Sequence, residues 1–317
     1  MTACQKNCKI YKGTSIKECT FINPYLTESK LSFINKLTSS ISDFSIMLKG
    51  SQPTDGGNLI LDKAEKETLL NSYPESKKYI KPYLGASEYI KGDIRYCLWI
   101  SEDQLEEACC VPQIKERLDR VVLFREKSSK ESTREWAKKP YSFTECRYQD
   151  TDCIIIPRVS SERRKYIPIG FLEKGTVISD SAFAIYDASL WLFGILTSEM
   201  HMVWVRTVGG RLETRYRYSA GLCYNTFPFP SISDTKKSEI EEAATEVLLA
   251  RENYPEKTLS DLYDPDKMPQ DLREAHETLD SIVESCYPGA PFANDEARLE
   301  CLFKLYEKMT AVKNDKK

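Results

Sequence analysis

The sequence has little histidine and no long apolar run. Only His201 and His276 occur among 317 residues, and eleven scattered cysteines include no C-x-x-C pair. This spacing favours neither a zinc site nor a disulfide framework. Reduced, mostly buried thiols are the better interpretation. No apolar stretch reaches the roughly 18 residues that span a bilayer. The start MTACQKNCKIYKG lacks the apolar core of a secretory signal, so we expect a cytoplasmic protein.

Motifs of the common catalytic sites are also missing. The sequence has no G-x-G-x-x-G after a predicted strand, no G-x-x-x-x-G-K-[ST], no H-E-x-x-H and no G-x-S-x-G. The glycine-rich DGGN at residues 55–58 is expected to be a plain turn. His201 lies in the apolar segment LFGILTSEMHMVWV, where a histidine is more often a packing residue than a base. A complete active site is therefore hard to find.

The charge is divided unevenly along the chain. The net charge is -3 overall, but residues 235–317 contain 12 basic and 19 acidic residues, a net of -7, which leaves +4 for the first 234. Such a division hints that the first part faces a polyanion and the second does not.

The first 230 residues predict a mixture of strands and helices. Short apolar runs bounded by Gly, Pro and Asp predict strands at 95–100, 121–124, 153–157 and 166–171. Helices are predicted at 63–72, at 114–120 and, as one long run ending at Gly209 and Gly210, at 189–205.

Beyond the turn-rich segment FPFPSISD at 227–234, the pattern becomes purely helical. Ser238 is the predicted N-cap of a first helix, and amphipathic segments around 272–283 and 299–306 predict two more. Three helices with acidic faces indicate a small bundle. The predicted fold class is therefore α+β, a mixed α/β domain followed by a small all-α C-terminal bundle.

Two basic stretches carry interleaved hydroxyl or aromatic residues. RVSSERRKY at 158–166 follows a predicted strand, and RTVGGRLETRYRY at 206–218 follows the predicted long helix. Arg and Lys neutralise phosphates, Ser donates hydrogen bonds to phosphate oxygens, and Arg also reaches base edges in the major groove. The alternative is a pair of solvated charged loops, which is the usual state of charge runs.

Arginines and one glutamate alternate in the second stretch, at Arg211, Glu213, Arg215 and Arg217. On one extended segment this spacing would place all four side chains on one face. Glutamate accepts a hydrogen bond from the cytosine amine, and arginine donates two to guanine O6 and N7. Glu213 and Arg215 together are thus suited to read one C·G pair.

Six blocks of this sequence, in the same order, resemble the C-terminal part of the MmeI-type (type IIL) restriction-modification enzymes. They are INPYL (22–26), GSQPTDGGNLIL (50–61), KYIKPYLGASEYIKGDIRYCLWI (78–100), IPRVSSERRKYIPIGF (156–171), LFGILTSEMHMVWVRTVGGRLETRYRYSAGLCYNTFPFP (192–230) and LYDPDKMPQDLREAHETLD (262–280). In that family one polypeptide carries an endonuclease region, a helical spacer, an adenine-specific DNA methyltransferase domain, a target recognition domain and a helical C-terminal region.

The resemblance implies a target recognition domain at 21–230 and a helical C-terminal domain at 231–312, with tails at 1–20 and 313–317. It implies that Glu213 and Arg215 read a base pair, since a Glu-x-Arg pair goes with one orientation of C·G in the family and a Lys-x-Asp pair with the other. The further DNA contacts expected are Arg158, Ser160, Ser161, Arg163, Arg164, Lys165, Arg206, Arg211 and Arg217.

One departure from the family is large. Its methyltransferase domain lies before the INPYL block and holds the S-adenosylmethionine loop and an Asn-Pro-Pro-aromatic motif. No Asn-Pro-Pro occurs here, and FPFP at 227–230 is not a substitute. We therefore expect no cofactor in this chain, with S-adenosylmethionine bound by a methyltransferase domain upstream or supplied by a separate subunit.

Three functions remain open at this point. The leading hypothesis is a sequence-specific double-stranded DNA recognition module that directs an adenine-N6 methyltransferase and performs no chemistry. The second is an enzyme, either a methyltransferase with an unrecognised cofactor site or the specificity half of a two-chain one. The third is a truncated remnant whose acidic helices dock on a partner protein.

Overall fold

The computed structural model describes residues 8–12, 15–26, 28 and 33–314. In chain order its strands are β1 (Cys8–Lys12), β2 (Ser15–Cys19), β3 (Leu48–Lys49), β4 (Ile60–Leu61), β5 (Ile80–Leu84), β6 (Arg95–Leu98), β7 (Cys153–Pro157), β8 (Val159–Ser160), β9 (Gly170–Leu172), β10 (Val177–Ile178), β11 (Ala182–Tyr186), β12 (Gly210–Leu212) and β13 (Arg215–Arg217). Its α-helices are α1 (Lys63–Ser72), α2 (Ala86–Lys91), α3 (Leu105–Cys109), α4 (Pro112–Glu126), α5 (Glu131–Glu135), α6 (Leu190–Thr197), α7 (Glu199–Val208), α8 (Asp234–Glu252), α9 (Leu259–Leu262), α10 (Gln270–Glu284) and α11 (Asp295–Asn314). The predicted α+β class is confirmed.

A four-stranded antiparallel sheet, in the order β3-β11-β7-β9, lies at the centre of the first domain. Every residue of β7 and β11 is buried, because both faces of the sheet are covered. Ile154 and Ile185 face the core that includes α6 and α7, whereas Ile155 and Ala184 pack with residues of β5 and β10. Continuous apolar runs such as CIIIP are the sequence pattern of strands covered in this way, and the prediction at 153–157 is confirmed.

The strand predicted at 166–171 is shorter in the structure. Only Gly170–Leu172 pairs with β7, and Pro168 precedes it. Proline has no amide hydrogen for a ladder and is disfavoured inside a sheet. Ile167 and Ile169 are nevertheless buried. The apolar pattern therefore predicted burial correctly, but only the end of the predicted segment pairs as a strand.

A second sheet, in the order β10-β5-β6-β4, has a core of its own with α4. The strand predicted at 121–124 is wrong, because these residues lie inside α4. The buried positions of this helix are Ile114, Leu118, Val121 and Arg125, which follow helical spacing of three and four. Leu123 and Phe124 are exposed, so a short apolar run did not distinguish helix from strand.

Arg125 ends the buried face of α4 with a fully buried side chain. Its Nε donates to the Thr54 carbonyl at 3.0 Å, and the two Nη atoms donate to the carbonyls of Trp136, Lys139, Pro53 and Ser142 at 2.7–2.9 Å. These bonds use all five donors of a guanidinium. One side chain thus ties together two loops that approach α4 from different parts of the chain.

The long helix predicted at 189–205 is two helices, α6 and α7, separated at Ser198. This residue has an extended backbone, with φ -78 and ψ 160, and its hydroxyl accepts from the His201 amide as the N-cap of α7. A serine that could continue a helix instead starts a new one, so apolar periodicity missed the break. The predicted end is confirmed, since Gly209 caps α7 and donates to the Val205 carbonyl at 3.0 Å.

The C-terminal helices share one apolar core with α6 and α7. Gly194 of α6 permits the close approach, because a Cβ there would lie 2.6 Å from Ile240 of α8 and 3.3 Å from Leu279 of α10. The predicted N-cap Ser238 is wrong. The helix begins at Asp234, and its N-cap is Ser233, five residues before Ser238. The Ser233 hydroxyl accepts from the Lys236 amide at 3.2 Å.

The remaining local predictions have mixed outcomes. The helix at 63–72 and the DGGN turn are confirmed, and in the turn Asp55 accepts from the Gly57 amide at 3.1 Å. The predicted tail 1–20 is partly structured, since β1 and β2 pair as antiparallel strands within it, and residues 1–7, 13 and 14 lie outside the described part. At the other end α11 continues to Asn314, and residues 315–317 lie outside the described part of the chain. Within the described ranges, no helix has the length and apolarity that a membrane span requires.

Candidate nucleic-acid interface

A small three-stranded sheet brings the two basic stretches together. Its order is β12-β13-β8, with all pairs antiparallel. Strand β8 belongs to the first stretch and the β12–β13 hairpin to the second, with Tyr216 opposite Ser160 and Arg217 opposite Val159. Residues more than 50 positions apart in sequence therefore form one surface.

The four alternating residues of the second stretch do not lie on a single strand, so that prediction is wrong. Glu213 and Thr214 form the turn between β12 and β13, and Glu213 has a positive φ of 57. Leu212 is opposite Arg215, and Arg211 is opposite Tyr216. These residues alternate along the sequence, but the chain reverses direction at Glu213 and Thr214, so the alternation does not continue along one strand.

The register decides which side chains share a face, because directly opposed residues in a sheet point to the same side. Arg215 and Arg217 therefore point to one side with Leu212. Arg211 points to the other side with the buried Tyr216, and its guanidinium lies 4.4 Å from the centre of that ring. Arg211 also donates to the Arg206 carbonyl at 3.1 Å.

Glu213 and Arg215 lie together at the exposed tip of the hairpin. Their side chains are 75% and 45% exposed, and Arg215 Nη2 lies 2.8 Å from Glu213 Oε2. An ion pair this exposed contributes about 0 to 1 kcal/mol. Either side chain can therefore leave this ion pair and bind a group on a ligand at little cost in free energy.

Side chains of the first stretch contact the C-terminal domain, although Arg163 and Lys165 remain exposed. Arg163 pairs with Asp266 at 2.5 Å, Arg164 donates to the Ser260 hydroxyl at 3.2 Å, and Lys165 lies 3.9 Å from Asp280. Burial raises the pKa of Asp280 to about 6, although the Tyr166 hydroxyl and the Glu199 amide both donate to this carboxyl group. Opposite charges on the two domains thus meet at their contact.

Arg206 is the most engaged of these cations. It contacts Glu199 at 2.7 Å and Asp295 at 3.2 Å, and it donates to the Lys165 carbonyl at 3.1 Å. Its side chain is 24% exposed and that of Glu199 only 10%. The arginine therefore neutralises a buried carboxylate at the boundary between the two domains.

We expect Arg206→Ala to lower the free energy of unfolding by about 3 kcal/mol, because it leaves Glu199 buried without its main partner. Urea denaturation of the full chain measures this. The control is Arg163→Ala, which breaks an ion pair that is 58% and 74% exposed and should change stability little, because solvent screens such a pair. Equal effects of the two substitutions would contradict the assignment.

The two serines of the first stretch have different surroundings. Ser160 is buried and its hydroxyl lies 3.5 Å from Arg164 Nη1, whereas Ser161 is half-buried in the following turn, where its hydroxyl accepts from the Arg163 amide at 3.3 Å. Of the two, only Ser161 retains exposed surface for a ligand.

A cleft of about 570 Å³ lies beside the hairpin. Arg158 and Arg217 line it with Leu212, and Arg158 also donates to the Asp180 carbonyl at 2.6 Å. Arg95, on β6, is a further cation in the lining, and it pairs with Glu88 at 2.7 Å. Sequence inspection missed Arg95, since it is more than 100 residues from the hairpin and lies in no basic run.

His201 is a packing residue, as predicted. It is fully buried, with Nε2 2.8 Å from the Tyr218 hydroxyl, and burial lowers its pKa to about 3. Among the described residues, no group of three or more His, Cys, Asp and Glu is arranged to hold a metal ion.

Comparison with known proteins matches this architecture in both domains. Residues 28–231 match the family model of the MmeI target recognition domain, and residues 232–313 match that of the MmeI C-terminal domain. This chain belongs to the MmeI family. The two family models meet between residues 231 and 232, within the turn-rich segment at 227–234.

Two relatives show how far the likeness to the MmeI family extends. DNA methyltransferase A of Bacillus subtilis (strain 168) is 45% identical over 289 residues, which are 91% of this chain and 33% of that protein. A solved structure of the type IIL restriction-modification enzyme MmeI in complex with DNA matches with a TM-score of 0.87 and 40% identity, over 94% of this chain and 40% of that one. The chain thus spans well under half the length of either relative.

Proposed function

We propose that this chain recognises a specific sequence in double-stranded DNA and directs an adenine-N6 methyltransferase domain to it. The hairpin tip carries the proposal, since it exposes a hydrogen-bond acceptor, Glu213, beside a bidentate donor, Arg215. The major groove of B-DNA is about 12 Å wide and admits a two-stranded ribbon. Adjacent strands are only about 4.8 Å apart, so the β12–β13 ribbon fits this groove.

The two faces of the small sheet suit two kinds of contact. Arg215 and Arg217 point to the open side, toward the base edges at the floor of a groove. Arg211 emerges on the side of Tyr216, nearer the protein body, where we expect it to meet the phosphates of the groove wall. Phosphate contacts set position and base contacts set sequence.

In this proposal the C-terminal domain does not contact the DNA. Its acidic residues already engage Arg163, Lys165 and Arg206, and its excess negative charge would be repelled by DNA. Catalysis and S-adenosylmethionine binding are assigned to a methyltransferase domain outside this chain. The solved structure of MmeI in complex with DNA is consistent with this division of labour.

Binding to DNA should depend strongly on salt. Each phosphate neutralised on B-DNA contributes about -0.9 to the slope of log K against log salt concentration. We expect Arg211→Ala to make that slope shallower by about one such unit and to weaken binding to all duplexes alike. Fluorescence anisotropy of a labelled duplex, titrated with the full chain from low salt upward, measures both quantities.

Arg120→Ala is the matched control for this charge change, because Arg120 is a 57% exposed arginine on α4. Its removal should leave the salt slope unchanged. An unchanged slope for Arg211→Ala would remove the phosphate contact from the proposal. Absence of any duplex binding at low salt would overturn the proposed function itself.

A further inference from the structure

Leu212 is an exposed apolar residue on the face of the hairpin that points outward. It ends β12 directly opposite Arg215, and its side chain is on the same side of the sheet as those of Arg215 and Arg217. The residue is 42% exposed, and with Arg217 it lines the cleft beside the hairpin. The outward face therefore combines two guanidinium groups with one branched apolar group.

Isolated exposed leucines are common on protein surfaces, so position is what distinguishes Leu212. Leu249 is 48% exposed and lies on the solvent-facing side of α8. Leu212 instead adjoins the two side chains that are suited to read a base pair. An apolar group there contributes nothing to attraction for phosphates, but it can recognise an apolar feature of a base.

We propose that Leu212 contacts the C5 methyl group of a thymine in the base pair next to the one read by Glu213 and Arg215. This inference rests on the proposed function. The thymine methyl is the apolar group that the base pairs present in the major groove. Directly opposed residues in an antiparallel pair have Cβ atoms about 5 Å apart, and successive bases are about 3.4 Å apart. With Arg215 on one base pair, Leu212 is within reach of the next.

Replacing thymine by deoxyuridine tests the contact, because it removes only the methyl group and leaves pairing unchanged. Selection from a random duplex library with the full chain first identifies the preferred sequence, and each thymine in it is then replaced singly. For the unaltered chain we expect one replacement, adjacent to the C·G pair, to weaken binding about fourfold, the size expected for one buried methyl-sized group. Leu212→Ala should bind both duplexes equally at that position.

Two further variants make the assignment specific. Leu212→Met keeps an apolar tip and should retain the sensitivity to the methyl group. Leu249→Ala removes an equally exposed leucine elsewhere and should behave as the unaltered chain does. Because Leu212 is not part of a core cluster, we expect Leu212→Ala to melt within a few degrees of the unaltered chain, which calorimetry verifies.

The outcomes separate this inference from the proposed function. In one outcome, selection yields a preferred sequence, and exchange of Glu213 for lysine together with Arg215 for aspartate changes it. If the sensitivity to the thymine methyl group is then the same in the unaltered chain and in Leu212→Ala, only the role of Leu212 is overturned. If Leu212→Ala binds every duplex more weakly than the unaltered chain, and by the same factor, the proposal is also overturned, since Leu212 then packs against the bases without preferring thymine. If selection yields no preferred sequence, the proposed function fails first.

Discussion

Exchange of Glu213 for lysine together with Arg215 for aspartate is expected to change the preferred base pair at one position from C·G to G·C. The double substitution inverts the order of acceptor and donor along the hairpin tip while preserving net charge. Lysine then donates to guanine O6 or N7, and aspartate accepts from the cytosine amine. Each such contact discriminates by about 1 to 3 kcal/mol, so the two contacts should shift the preference at least roughly 30-fold at 1.36 kcal/mol per tenfold.

The backbone should tolerate this exchange. Glu213 has φ 57 in the turn, and lysine, like glutamate, has a Cβ, so the conformational cost of a left-handed residue is similar in both. Both side chains are exposed, and no core contact is lost. A change in DNA preference is therefore separable from a change in stability.

Competition between duplexes that differ only at the chosen base pair measures the shift. The matched control exchanges Glu135 and Lys138, an ion pair that is 66% and 77% exposed, with the same charges inverted on a different surface. That control should leave sequence preference unaltered. If the hairpin variant retained the original preference at full affinity, Glu213 and Arg215 could not be the base readers.

The largest loss of stability is expected from Arg125→Ala. The substitution removes five hydrogen bonds to backbone carbonyls and leaves those oxygens in a buried site. Breaking a buried charged network by removing one member typically costs about 3 to 5 kcal/mol. The carbonyls of Pro53 and Thr54 and those of Trp136, Lys139 and Ser142 belong to two loops, so we also expect both loops to lose their fixed position against α4.

Urea denaturation and thermal melting of the full chain measure this effect. Arg125→Lys keeps the charge but has three donors instead of five, so its loss should be intermediate. Arg120→Ala, on the same helix but exposed, serves as the control and should be nearly neutral. A loss below about 1 kcal/mol for Arg125→Ala would mean that water replaces the guanidinium without penalty, contrary to the usual cost of unsatisfied buried groups.

Sequence patterns were most reliable where burial alone decides structure. The run CIIIP at 153–157 is a strand because it is covered on both faces. Apolar spacing identified α8, α10 and α11 but missed the four-residue α9, which is too short to show a helical period. The patterns were unreliable where a single residue determines whether a helix continues or stops. Ser198 interrupts a continuous apolar run by capping α7, and the run VVLF at 121–124 is helical because its neighbours Ile114, Leu118 and Arg125 complete a helix face.

The hairpin shows the same limit at the candidate site. The alternation of basic and acidic residues drew attention to Glu213 and Arg215, which the structure exposes together at the hairpin tip. It did not reveal the turn at Glu213 and Thr214. Arg211 consequently points to the opposite side from Arg215 and Arg217, although all three alternate regularly along the chain.

The sequence by itself determined the absence of the catalytic motifs, the uneven charge and the content of the two basic stretches, because each is a property of composition or of near neighbours. Only the tertiary structure decided which carboxylates pair with the cations of these stretches. Arg163, Lys165 and Arg206 are engaged by Asp266, Asp280 and Asp295, whose positions along the chain are 89 to 115 residues distant. Local patterns cannot encode such pairings, since they arise from how the helices pack on a shared core.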